Sequence, residues 1–422
     1  MNFWALALLF LVFASKLSLA GMGVPSQLPG VLFQHGLHPY LNILLSFLFG
    51  VPLIFLMLRD RDRMEGLQRT YRSLLAILIL MFFLETLFQY VFQVGSHGVY
   101  SWAAFLSTFW LILIFGVIVP VTVKPSDTLK FISTWAVNFV VVSLVLWLIR
   151  PDLTFKGGRF VGIFKHIPYM VTCASVGVIF TLGRFSQEKS SLRRLWFALG
   201  VVLSIFALLL TGTRSALAAV VMAFVLWILR TPTQSFGFRY FKYSAAVVLT
   251  ASLFLFGGDL LDYSKDIATG KKALVERQAQ DGVASRLEEV ERGWEYFQTS
   301  PWLGQGLLSK FSGKDSLEVT SYNSFKDPHN IFVSAGVVGG WFFIIWTGIF
   351  VLMLLILSLK ALVSSNTVMQ IFGIYGVVQI PILIIYHWHL SLGGMADRFY
   401  WLVFGYLALK TGLKRPLEER SF

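Results

Sequence analysis

A chain of 422 residues that is 56% hydrophobic and only 14% charged, with a mean hydropathy of +0.71, is not a soluble domain; soluble domains carry roughly a quarter charged residues. Its net charge of +13 points to anionic lipid headgroups instead of nucleic acid once the chain is read as a membrane protein. A lone cysteine, Cys173, inside an apolar run excludes an intramolecular disulfide and a thiolate metal site.

The apolar residues fall into runs of about 15–25, because only segments that satisfy their own backbone groups can cross hydrocarbon. In chain order they predict spans near 2–20, 40–58, 73–94, 102–121, 131–149, 161–183, 195–211, 215–229, 243–257, 330–357, 366–386 and 399–413. The first run, Met1–Ala20, has no basic residue ahead of its apolar stretch, and Lys16 follows it, so a retained helix is expected. The fold class is therefore an all-α polytopic membrane protein of about 12 transmembrane helices. Three parts follow: helices 1–9 over residues 1–258, a long loop with short helices over 259–329, and helices 10–12 with a tail over 330–422.

Placing the N-terminus inside puts eighteen Lys and Arg in the cytoplasmic segments. The short loops opposite hold five: Arg150, Lys156, Arg159, Arg214 and Arg398. This obeys the positive-inside rule and makes both termini cytoplasmic. The 259–329 loop holds nine more, but long loops translocate regardless of charge. Within it, Ala284–Phe297 predicts an amphipathic helix with Leu287, Val290, Trp294 and Phe297 on one face. Ser285 and Glu288 form a capping-box pattern, and Ser300–Pro301 should stop the helix.

Arginines on the non-cytoplasmic side need a reason. Arg159 opens the sixth span, Arg214 sits where two apolar runs meet, Arg286 lies in the first turn of the amphipathic helix, and Arg398 starts the last span. A guanidinium near hydrocarbon faces protein, water or an anion, and its fork matches phosphate oxygens without a metal. The plainer alternative is snorkelling to headgroups or pairing with Asp397 or Asp327. His329, in Asp-Pro-His-Asn before the tenth span, is a candidate to accept a hydroxyl proton. Locally, helix-start chemistry by Asn330 or Asp327 explains the segment as well. Asp60-Arg61-Asp62 reads as a solvated anchor, His387 and His389 as interfacial, and Glu85 as paired within the bundle, so no metal site or cofactor is expected.

Four pieces occur in order: Arg159-Phe-Val-Gly-Ile-Phe; Thr211-Gly-Thr-Arg-Ser-Ala-Leu-Ala-Ala; Ser285-Arg-Leu-Glu-Glu through Ser300-Pro-Trp-Leu-Gly-Gln-Gly; and His329-Asn-Ile-Phe-Val through Gly336-Val-Val-Gly-Gly. Together they resemble the O-antigen ligase and polymerase superfamily of bacterial envelope enzymes. The resemblance implies a GT-C-like glycosyltransferase of the inner membrane, acting on its periplasmic face. Its donor would be an undecaprenyl-diphosphate-linked glycan, and its acceptor, for a ligase, a lipid A–core sugar. It implies that Arg214 and Arg286, and with them Arg159, bind the diphosphate, and that His329 serves the acceptor hydroxyl. Arg398 joins the set from its sidedness. An O-antigen polymerase or a protein O-oligosaccharyltransferase would share the donor. A transporter has a similar span layout, but no inverted repeat or matched pair of broken helices is visible.

Overall fold

The structure, a computed structural model, describes residues 3–14, 17, 39–59, 109–156, 158–164, 167–230, 283–304, 330–385 and 395–411. The apolar runs become helices: α1 Phe3–Ala14, α2 Pro39–Arg59, α3 Phe109–Thr122, α4 Pro125–Ile149, the short α5 Pro151–Thr154, α6 Ile167–Gln187, α7 Ser191–Thr211 and α8 Arg214–Arg230. Further along the chain are α9 Val283–Gln298, α10 Ile331–Leu362, α11 Thr367–Ile385 and α12 Met395–Thr411. Among the described residues, α4, α6, α7 and the Gly339–Leu362 part of α10 are long and apolar enough to cross a membrane, and shorter apolar helices accompany them. The molecule is an all-α membrane protein in its helices. One small departure is a hairpin of β1 Phe155–Lys156 and β2 Arg159–Phe160. The predicted spans 73–94 and 243–257 lie outside the described residues.

The chain forms two units. The first takes in Met1–Gly50 and Pro125–Ser285 with Gly394–Ala396. Lipid tails are as apolar as leucine, so helices here associate through close packing of small residues. A Cβ on Gly177 of α6 would sit 2.8 Å from Ser204 Oγ of α7, and one on Gly200 of α7 would sit 3.2 Å from the methyls of Val137 in α4. Aromatic contacts add to this: Phe10 and Phe13 of α1 meet Trp135 and Phe139 of α4 with ring centroids 4.6 and 5.3 Å apart. Leu192, Leu195, Leu199, Val202 and Phe206 line an exposed stripe of α7 at helical spacing, as a lipid-facing side requires. Three boundaries differ from the sequence expectation: the sixth span, expected from 161 with Arg159 opening it, begins as α6 only at Ile167, and Arg159 lies in the hairpin instead. α1 ends at Ala14, and Leu17 bridges Phe164 in extended backbone instead of continuing the helix. The expected loop 122–130 shrinks to Val123 and Lys124, because Pro125 is a ready first residue for α4.

The second unit takes in Val51–Lys124, Arg286–Gly393 and Asp397–Phe422. A π-helical turn at Ile114–Ile118 interrupts α3, and Gly405 of α12 lies so close to it that a Cβ would meet Gly116 O at 2.2 Å. Tyr406 Oη donates to Val123 O at 3.1 Å, satisfying a carbonyl at the end of α3. Gly373 and Gly376 of α11 similarly admit Ser358 of α10. Trp346, Phe350, Trp401 and Phe404 form a buried aromatic cluster. The largest correction is in α10, expected as one span over 330–357. Its helical geometry fails at Gly339 (φ −138°, ψ 20°) and Gly340 (φ 66°, ψ −160°), so a short helix at 331–338 precedes the membrane-long part.

Candidate functional site

In the first unit, α5 leads into the hairpin, and Gly158 at φ 74° supplies the left-handed backbone of its turn. Successive strand residues alternate sides. Phe160 is fully buried against Phe155, while its neighbour Arg159 is half-buried. Val161 and Gly162 N–H donate to Thr154 O at 2.8 and 3.2 Å, and Ile163 N–H donates to Ser143 Oγ at 3.2 Å. These bonds pin the segment before α6 onto the end of α5 and onto α4.

Arg159 then reaches across to the α7–α8 turn. Its Nε donates to Thr211 O at 2.9 Å and its Nη2 to Thr213 Oγ1 at 2.8 Å. The turn is tight because Gly212 is left-handed (φ 63°, ψ 25°) and its N–H closes α7 on Leu209 O. Thr211 and Thr213 are buried, and their hydroxyls lie 3.2 Å apart. Leu217 N–H donates to Thr213 O, which starts α8 with Arg214 as its first residue. No acid occupies the first turn of α8. A cation at that end opposes the helix dipole, whose N-terminus favours anions. Both arginines on these segments therefore converge on one turn in the backbone, while the side chain of Arg214 lies outside what is described. Nearby, Arg150 is engaged by Asp152 at 2.9 Å, and that hydrogen bond is the main reason the Asp152 carboxyl is held below its ordinary value.

In the second unit, α9 confirms the amphipathic helix and its stop before Ser300–Pro301. Arg286 is in its first turn, with its side chain outside the described residues. The capping-box expectation falls on Ser285, whose side chain lies outside the described residues. α9 starts at Val283, so Ser285 is already helical, and Glu288 pairs with Arg292 one turn on. Phe297 is buried on Trp341, and Trp294 contacts both rings. At the start of α10, Asn330 Oδ1 accepts from the N–H groups of Phe332 and Val333 at 3.0 and 3.2 Å. The helix-start reading of that segment is thus correct for Asn330, whereas His329 and Asp327 lie outside the described residues. Arg398 is 1% exposed, with its guanidinium 5.8 Å from the Phe115 ring in the π-turn, within reach of a cation–π attraction. Asp60, Asp62, Glu85, His387 and His389 also lie outside the described residues. Among the described residues no three His, Cys, Asp or Glu side chains cluster as metal ligands would.

Sequence reading did not identify Thr211 and Thr213 as partners of Arg159, nor the joint between Pro301 and the α10 break. The signals were present as Thr-Gly-Thr, Ser-Pro-Trp and Gly-Gly, but no local pattern says which segments meet.

No curated protein matches the chain. Residues 199–347 match the family model described as O-antigen ligase. That stretch includes Arg214, Arg286 and His329 and runs through the Gly339–Gly340 break, while Arg159 and Arg398 fall outside it. The match covers about a third of the chain, and over that stretch the chain is similar to the O-antigen ligase family.

Proposed function

We propose that the chain is an O-antigen ligase of the bacterial inner membrane, transferring a glycan from undecaprenyl diphosphate to a lipid A–core sugar hydroxyl at the periplasmic face. About a dozen spans with both termini in the cytoplasm provide that sidedness. The observation that carries the reading is the Arg159 clasp on Thr211 and Thr213, which fixes the turn from which Arg214 opens α8. A cation at a helix N-terminus suits a diphosphate better than it suits the helix itself.

In the reaction the acceptor oxygen attacks the anomeric carbon as the bond to the diphosphate oxygen breaks. The departing electron pair goes to undecaprenyl diphosphate, and the hydroxyl proton goes to His329. Arg214 and Arg286 stabilise the charge that develops on the leaving group. Direct displacement inverts the anomeric configuration. The carrier is already an activated donor, so nucleotide hydrolysis is not required, and no metal is invoked. Arg159 has committed two of its five N–H donors to the turn, so its part is to hold Arg214 in place. Arg398, buried on Phe115, is assigned to the packing of its own unit.

The test is transfer by purified protein in proteoliposomes supplied with carrier-linked glycan and lipid A–core, with products separated on a gel. Ladder-bearing lipopolysaccharide that vanishes in His329→Ala supports the ligase reading. Elongation of the carrier-linked glycan without transfer to lipid A–core means a polymerase instead.

A further inference from the structure

The break in α10 is occupied by another part of the chain. Gly340 adopts φ 66° and ψ −160°, a region essentially confined to glycine. A Cβ there would lie 2.2 Å from Trp302 O and 2.7 Å from Pro301 O. At the break, Trp341 N–H finds its partner outside the helix and donates to Pro301 O at 2.8 Å. Pro301 follows α9 by a short turn, in which Thr299 and Ser300 N–H donate to Tyr296 O and Phe297 O and Gly304 N–H donates to Ser300 O at 2.9 Å. The side chains join the same contact. Phe297 packs edge-on to Trp341 with centroids 5.3 Å apart, and a Cβ on Gly336 would come within 3.0 Å of the Phe297 ring. The C-terminal end of α9 is thus tied to α10 on both sides of the break.

We infer that Gly340 and the Pro301 carbonyl it admits are a positioning joint, which sets the helix carrying Arg286 against the helix that begins at Asn330. This rests on the function proposed above, for Arg286 matters only if it meets the donor diphosphate. The joint itself touches no substrate. It acts because the rigid α9 transmits its docking angle from Phe297 back to Arg286, three turns away along the helix. A misplacement of about 1 Å in a catalytic group costs roughly a hundredfold in rate, so a small tilt of α9 suffices. The joint also accounts for two sequence pieces that carry no chemistry of their own: Ser300-Pro-Trp and Gly339-Gly are the two halves of one contact.

The test uses the full-length protein in proteoliposomes with two readouts. For geometry, spin labels are placed at Glu291→Cys on α9 and Ile356→Cys on α10, both exposed positions, leaving the buried Cys173 as it is. The inter-label distance distribution should be narrow, and should shift or broaden in Gly340→Ala. For function, Gly340→Ala should reduce turnover by about a hundredfold while the donor KM changes by less than about threefold. In an Arg286→Ala background the same change should cost no more than about twofold, because a residue acting through Arg286 has nothing left to position. An unchanged distance distribution, or losses that multiply in the double variant, overturns the joint. Should Gly340→Ala not fold, Gly336→Ala decides: it presses on Phe297 and on the flexible end of Ile344 without backbone strain, and its smaller loss must likewise vanish when Arg286 is absent. If Arg286→Ala itself transfers at the normal rate, the functional reading fails, while the distance measurement still judges the joint.

Discussion

Arg159 Nη2 donates to Thr213 Oγ1 at 2.8 Å, joining residues 54 positions apart and placing a guanidinium beneath the residue that precedes Arg214. The second bond, from Nε to the Thr211 carbonyl, spans the turn from its other side. A planar fork holds both donors pre-organised, whereas an ammonium is a point charge on a flexible stem.

Arg159→Ala should therefore lower turnover by about a hundredfold, and Arg159→Lys should recover little of it. Thr213→Val, which removes only one of the two partners, should lose less than Arg159→Ala. The combined variant should be no worse than Arg159→Ala alone, since the two act as one unit. Steady-state kinetics on the four proteins checks this. Fully additive losses would mean that Arg159 acts on the donor directly.

Arg214→Ala should raise the donor KM and lower turnover, with a total loss of about 2.7–4 kcal/mol if it stabilises the leaving group as an oxyanion donor does. Arg214→Lys keeps the charge and loses the fork, so it should fall between the two. Kinetics at varied donor concentration separates binding from turnover.

Gly212→Ala tests the turn through the backbone. The left-handed φ of 63° costs a non-glycine residue about 1 kcal/mol or more. The variant should unfold at a lower temperature in a thermal-shift measurement, and it should be less active because the strain is relieved by moving the start of α8.

Glu188, in the α6–α7 connection, gives a pH prediction. Its carboxylate accepts from Ser190 and Lys189 N–H groups, with the Ser190 bond the larger cause, and its pKa lies below the ordinary 4.5. A depressed folded-state value means a stabilisation that is complete above the unfolded value and lost as pH falls through the folded one. Glu188→Gln should therefore lower stability at neutral pH and weaken its decline under acid conditions, read as thermal midpoints across pH.

Much of this architecture was legible because it is local. The apolar runs located α2, α7, α8, α11 and α12 to within a few residues, and Thr-Gly-Thr-Arg marked the α7–α8 junction because a glycine between two apolar runs can end one helix and admit the next. What escaped was set by partners distant in sequence. The hydrophobic run through Val337–Ile344 shows no gap at Gly339–Gly340, and the break exists because the Pro301 carbonyl, forty residues earlier, takes the Trp341 N–H. The two hydrogen-bond partners of Arg159 lie more than fifty residues downstream, where no local pattern reveals them.

The most direct measurement of the central claim is the binding of carrier-linked glycan to nanodisc-embedded protein, comparing the native chain with Arg214→Ala and Arg159→Ala. If the clasped turn presents Arg214 to the diphosphate, Arg214→Ala should weaken binding by about ten- to a hundredfold. Arg159→Ala should weaken it in the same direction. Native affinity in Arg214→Ala, in a protein of unchanged thermal stability, would contradict the account.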